Sequence, residues 1–283
     1  MNISSSHILS ITTFVYMAAA ILYISYWVFK AKRLGVVATT VTVIGFLMQT
    51  FALGYRWYES YKLGYGHAPL SNLYESLVFF AWVTIAVYLV IEWRTKSRII
   101  GAFATPFATF AIAYASFNPN VNSQIEPLVP ALQSNWLLAH VITCFLGYAS
   151  FAVACGLAIM YLIKSKSPNP DEGVTGALPS LKMLDDLMHQ TIIFGFLWLS
   201  IGIITGSIWA NRAWGSYWSW DPKETWSLIT WFIYATALHA RFVKGWRGKR
   251  IAILSIIGFC SVIFTYFGVN YLLAGLHSYA APQ

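Results

Sequence analysis

Charge is scarce in this chain. Only 10% of its residues are Asp, Glu, Lys or Arg, where a soluble domain carries roughly a quarter. Hydrophobic residues make up 58%, and the mean hydropathy is +0.61. Cysteine is scarce too: Cys144, Cys155 and Cys260 all lie in apolar stretches and form no C-x-x-C pair. That excludes a disulfide framework and a zinc-finger site, and the lack of C-x-x-C-H excludes covalent haem attachment to the chain itself. Internal repeats, low-complexity tracts and a separate soluble domain are also missing. No Lys or Arg precedes the first apolar stretch, whereas a signal peptide carries its positive charge in front, so that stretch is expected to be a retained helix.

Long apolar runs are what the chain has in abundance. A bilayer core ~30 Å thick needs about 20 apolar residues per helix. Eight stretches qualify, near 8–29, 35–55, 73–93, 99–117, 135–163, 190–210, 224–243 and 251–274. The expected fold is an all-α polytopic bundle of about eight transmembrane helices, forming one membrane domain over 1–283. Lys and Arg of short loops stay on the cytoplasmic side. With the N-terminus outside, 14 of the 18 basic residues fall in the inner segments 30–33, 94–98, 164–182 and 241–250. The outer side keeps Arg56, Lys62, Arg212 and Lys223 against five acids, and both termini come out outside. The formal charge of +8 is therefore an inner-face property and implies no nucleic-acid partner.

Two loops stand out. The inner loop 164–189 begins as a polar linker and ends in "LPSLKMLDDLMHQ", with Leu178, Leu181, Leu184, Leu187 and Met188 on one helical face; this predicts an amphipathic helix along the membrane surface. The outer stretch 118–134 contains Pro119, Pro127 and Pro130 and cannot be one long helix.

The outer segment between the sixth and seventh spans reads "AWGSYWSWDPKETW". Residues 209–231 hold six of the 13 tryptophans: Trp209, Trp214, Trp218, Trp220, Trp226 and Trp231. Trp is enriched wherever membrane meets water, but anchoring would spread the rings over all helix ends. A concentrated aromatic shelf suits a planar macrocycle or a cationic head group. Asp221, Pro222 and Glu224 also spell a helix start, with an N-cap, proline at the first helical position and an acid three residues on.

The histidines favour the macrocycle. His140 lies ~8 Å into the fifth span from its outer end, and His277 lies ~39 Å along the last helix from Ile251, beyond the outer edge of the core. Two neutral imidazoles level with a flat aromatic surface suit the axial positions of haem iron. His239, ~26 Å past Pro222, falls near the inner face, and an ionisable residue there is a functional candidate. His7 and His189 read as solvated boundary residues and His67 as an outer-loop residue.

The segment "WGSYWSWDPKETWSLITW" resembles the Trp-rich WWD signature of the haem-handling proteins of cytochrome c maturation, with Trp214, Gly215, Trp218, Trp220, Asp221, Glu224 and Trp226 in the motif positions. With "PLSNLYESL", "LVPALQSNWLLAHV", "LHAR" and "GLHSY", the likeness extends over nearly the whole chain to the CcsA/ResC component of System II, rather than to the related System I handlers. The resemblance implies haem b as transported substrate, carried outward and presented at 209–226 for thioether attachment to the C-x-x-C-H of apocytochrome c. It implies His140 and His277 as outer iron ligands, His239 as a ligand of an inner haem site, and Trp214, Gly215, Trp218, Trp220, Asp221 and Trp226 as the haem-binding surface. Arg56, Arg212 and Lys223 are candidates for the propionates, and catalysis would be positioning, with no acid or base assigned. It further implies a CcsB/ResB-type membrane partner, without which this chain is half of a holocytochrome c synthase, and thiol-reducing proteins outside. The expected location is the bacterial inner membrane with the Trp-rich site on the periplasmic side, or a thylakoid membrane. A haem exporter and a bis-His electron carrier are the competing readings.

Overall fold

The structure, a computed structural model, describes residues 4–273. Every regular element among them is helical: α1 (Ser5–Phe29), α2 (Lys32–Lys62), α3 (Leu73–Thr95), α4 (Gly101–Phe117), α5 (Asn135–Lys166), α6 (Gly173–Gly176), α7 (Leu181–Trp214), α8 (Pro222–Lys244), α9 (Lys249–Ile263) and α10 (Val269–Leu272), with a π-helical turn over Phe264–Gly268 and short 3-10 turns before α4 and α5. Side-chain oxygens start many of them. Asn72 accepts from the backbone N–H of Glu75, Ser134 from Trp136, Ser180 from Met183 and Asp221 from Lys223, satisfying donors that have no partner in the first turn.

All eight expected spans form helices. Seven of them are long and apolar enough to cross a membrane, and the chain is a multi-pass membrane protein. The helix that falls short is α8, because Trp226, Trp231, Tyr234, His239 and Arg241 dilute its apolar surface. The amphipathic segment does not lie in the loop as a separate helix. Residues 181–190 are the first turns of α7, which runs unbroken for 34 residues, since nothing from Leu181 to Trp214 interrupts the helical backbone. The described residues group into two compact units, 4–128 with 171–179, and 129–170 with 180–273.

In the first unit α1 packs on α2 and α4, and α3 on α4. Several of its buried polar side chains satisfy one another, as a low-dielectric interior favours. Tyr16 donates to Gln49 at 2.6 Å, and the Gln49 amide donates to the Val78 carbonyl at 2.9 Å, joining three helices. Glu92 accepts from Tyr88 at 2.6 Å and Thr39 at 2.7 Å. Arg56 and Glu75, both buried, pair at 2.7 Å.

The second unit is built on α5, the most enclosed span, with 83% of its apolar stretch buried. It lies along α7 and α9, with α8 against both of these. Small residues permit the approach of α5 and α7. A Cβ at Gly202 would stand 2.6 Å from Cys144 Sγ, and one at Gly206 would stand 2.5 Å from His140 Nδ1; glycine at these places lets two backbones meet as in other membrane helix pairs. At the other end of α7, Arg241 donates to both carboxylate oxygens of Asp185 at 2.9 Å, and the N–H of Gly248 donates to the same carboxylate at 2.7 Å.

Candidate functional site

His140 sits one and a half turns into α5, half-buried. Its Nδ1 is 2.8 Å from the carbonyl oxygen of Gly202. A carbonyl only accepts, so Nδ1 carries the proton and donates, and in the neutral ring the lone pair belongs to Nε2. Metal-binding histidines are arranged in this way, with the second nitrogen held by a carbonyl or carboxylate that fixes the tautomer and the ring plane. The ring stacks on Trp209 at 5.9 Å between centroids and 17° between planes. Trp209 is buried, donates its indole N–H to the Ala131 carbonyl at 2.8 Å, and meets Trp214 edge-on at 4.8 Å. His140 is thus tied to the Trp-rich segment through one indole.

Within that segment, Gly215 ends α7 at φ 78°, its N–H bonded to the Asn211 carbonyl at 2.9 Å, a left-handed cap that glycine adopts without strain. Trp218 and Trp220 then meet edge to face, centroids 5.7 Å apart. Trp218 holds its indole N–H buried without a hydrogen-bond partner. Trp220 is 68% exposed and has φ 60°, a left-handed backbone that costs a bulky residue ~1 kcal/mol or more. The strain is held by Glu224, whose Oε2 accepts the backbone N–H of Ser219 at 2.7 Å and of Asp221 at 3.2 Å. Asp221, buried, completes a capping box with Glu224. The helix start expected from Asp221, Pro222 and Glu224 is observed.

The six tryptophans do not form a single shelf. Trp226 lies on Phe264 of the π-helical turn at 4.1 Å, and Trp231 packs on Phe196 while donating to Ser200 at 2.8 Å. With Trp209 buried, the rings divide into one wall beside His140, a pair at 218 and 220 of which Trp218 is half-buried and Trp220 exposed, and two helix contacts. Beside the first wall lies a cavity of about 460 Å³ lined by Gln133, Ser134, Asn135, Trp136, Trp209 and Arg212 among others.

The remaining candidates are placed as follows. His277 falls outside the described residues. His239 is exposed in the penultimate turn of α8. His67, read as an outer-loop residue, lies in the loop between α2 and α3 and is buried, its ring nitrogens 3.1 and 2.9 Å from the carbonyls of Ala68 and Glu126. Arg56 is committed: besides its bond to Glu75, it donates to the Gln124 carbonyl at 3.2 Å. Lys223, just before the seventh span, is half-buried, and burial pulls its ammonium down to about 8 against the opposing pull of Asp221. Sequence reasoning did not single out Gly202, Gly206 or the organising role of Glu224. The G-x-x-x-G spacing of 202–206 was the available signal.

The cytochrome C assembly protein model matches residues 70–277. The chain belongs to that family, as a CcsA-type cytochrome c biogenesis protein. It is 41% identical to the cytochrome c biogenesis protein CcsA of Trieres chinensis, over 98% of this chain and 96% of that one. It is likewise 41% identical to CcsA of Synechococcus sp. (strain CC9902), over 96% and 95%, and of Guillardia theta, over 93% of each. Among solved structures it resembles the cytochrome c heme lyase CcmF, with a TM-score of 0.70 at 14% identity, covering 98% of this chain and 48% of that one. The chain thus spans about half of the heme lyase, and at that identity the likeness is one of fold. The CcsA-type assignment gives the chain a role in cytochrome c maturation.

Proposed function

We propose that this chain moves haem across the membrane and presents it at the outer Trp-rich segment for covalent attachment to the C-x-x-C-H of apocytochrome c. In that step the thiol S–H adds across a haem vinyl group: the S–C bond forms, the proton goes to the neighbouring carbon, and no oxidant is consumed. Holding thiol and vinyl together in the right geometry supplies the rate, because oriented reactants avoid a large translational and rotational cost. The observation that carries the reading is the His140–Gly202 hydrogen bond, which directs the lone pair of an imidazole to Nε2, as an iron ligand needs. Trp209 and Trp214 extend flat apolar surface from that imidazole, and the exposed ring of Trp220 offers more. His277 is the proposed second axial ligand and His239 a ligand of an inner site, completed by a CcsB/ResB-type partner.

The test uses the chain co-expressed with that partner, comparing wild type with His140→Ala and His277→Ala. Loss of the low-spin haem spectrum and of holocytochrome c yield at normal protein abundance supports the reading. Unchanged spectrum and yield in both variants contradicts it.

A further inference from the structure

The cavity beside Trp209 has a chemistry of its own. Among the described residues lining it, Arg212 alone is charged, and no carboxylate lines it. The Arg212 guanidinium is exposed and sits 5.9 Å over the face of Trp136, a stacking arrangement that orients the planar fork while leaving its edge to meet an anion. Ser134 and Asn135 also line it, the cap and first residue of the 32-residue α5, whose dipole adds positive potential at that end. Gln133 and Asn135 add amide groups. One wall is Trp209, whose ring also stacks on His140. The cavity is therefore an anion-accepting space separated from the candidate iron ligand by a single indole.

We infer that this cavity receives a carboxylate of the planar macrocycle bound at His140, with Arg212 pairing with it and Trp136 holding Arg212 in place. The inference rests on the proposed haem function and adds to it the point at which the substrate's orientation is fixed. The other basic candidates suit the task less well. Arg56 is bound to Glu75 and the Gln124 carbonyl, and Lys223 is pulled toward neutrality by burial, whereas a guanidinium stays charged at any working pH. A carboxylate held at one edge would set which edge of the macrocycle, and so which vinyl, faces the incoming thiols.

The experiment titrates the purified chain in a non-ionic detergent, which supplies no competing anion, with haemin and with haemin dimethyl ester, following the Soret band. Wild type should bind the free acid about tenfold more tightly than the ester, the worth of one charge-assisted hydrogen bond. Arg212→Ala should bring the two affinities together by weakening the acid alone, Arg212→Lys should keep part of the preference, and Trp136→Ala should reduce it. Equal wild-type affinities, or a full preference retained in Arg212→Ala, overturns the inference. His140→Ala separates this from the underlying reading: it should abolish the low-spin band for both ligands and leave the acid–ester preference in whatever binding persists. Failure of the Arg212 result with success of the His140 result removes the carboxylate site and leaves the haem function standing; a wild type that binds neither ligand removes both.

Discussion

The carboxylate of Glu224 accepts the backbone N–H of Ser219 at 2.7 Å, and its same oxygen accepts that of Asp221 at 3.2 Å. The residue between them is Trp220, the exposed ring with the left-handed backbone. A helix-capping side chain thus also sets the conformation of the loop before the helix.

That arrangement separates structure from function at one residue. Trp220→Gly removes a left-handed strain of ~1 kcal/mol and an edge-to-face contact with Trp218 of ~0.5–1.5 kcal/mol, so its effect on stability should be within about 1 kcal/mol of zero. Haem retention should nevertheless fall severalfold. Thermal melting and haem content, measured on the same preparation, check both halves. Glu224→Ala should instead cost ~1–2 kcal/mol through the lost cap and lower haem content as well.

Gly206 makes a second, sharper prediction. A Cβ there would stand 2.5 Å from His140 Nδ1, so Gly206→Ala must turn the imidazole away from the Gly202 carbonyl. Overpacking should cost ~1–3 kcal/mol, and the haem spectrum should shift toward high spin. Gly195→Ala is the control: its Cβ would meet Phe151 at 2.6 Å in the same helix contact, so it should destabilise by a similar amount and leave the spectrum of the retained haem unchanged.

Arg56→Gln should be a stability variant. It leaves Glu75 buried without its cation, a loss of ~3–5 kcal/mol, and protein abundance should fall. Because Arg56 is taken up by Glu75 and Gln124, the acid–ester preference of the surviving protein should match wild type.

Lys223 predicts a pH dependence. Its pKa is lowered from 10.5 to about 8 by burial, so between about pH 8 and 10.5 the unfolded chain binds the extra proton and stability rises with pH. Below about 8 the cost of the buried charge is fully present. Lys223→Met should flatten the slope of melting temperature over that window; an unchanged slope would assign it to another group.

Much of the architecture was legible because hydropathy is a strong signal: a 20-residue apolar run such as 73–93 has few alternatives to a membrane helix. The cap at Asp221 was legible too, since its residues are contiguous. The sequence did not show that α7 absorbs residues 181–190, because an amphipathic segment beside an apolar one reads equally well as a surface helix or as its first turns. Nor did it show which tryptophans face outward. Trp209 and Trp220 have the same composition signature, and only the packing of α5 on α7 buries one while a left-handed turn exposes the other. Arg56 looked available for the same reason: Glu75 is 19 residues away in sequence and 2.7 Å away in space.

Under the proposed function His140 binds iron through Nε2 while Nδ1 is held by Gly202. The most direct measurement is the electron paramagnetic resonance spectrum of ferric haem bound to the purified complex, for wild type, His140→Ala, and His140→Ala with added imidazole. A low-spin signal is expected in wild type, its conversion to high spin in the variant, and its return with imidazole. A low-spin signal that persists unchanged in His140→Ala would contradict it.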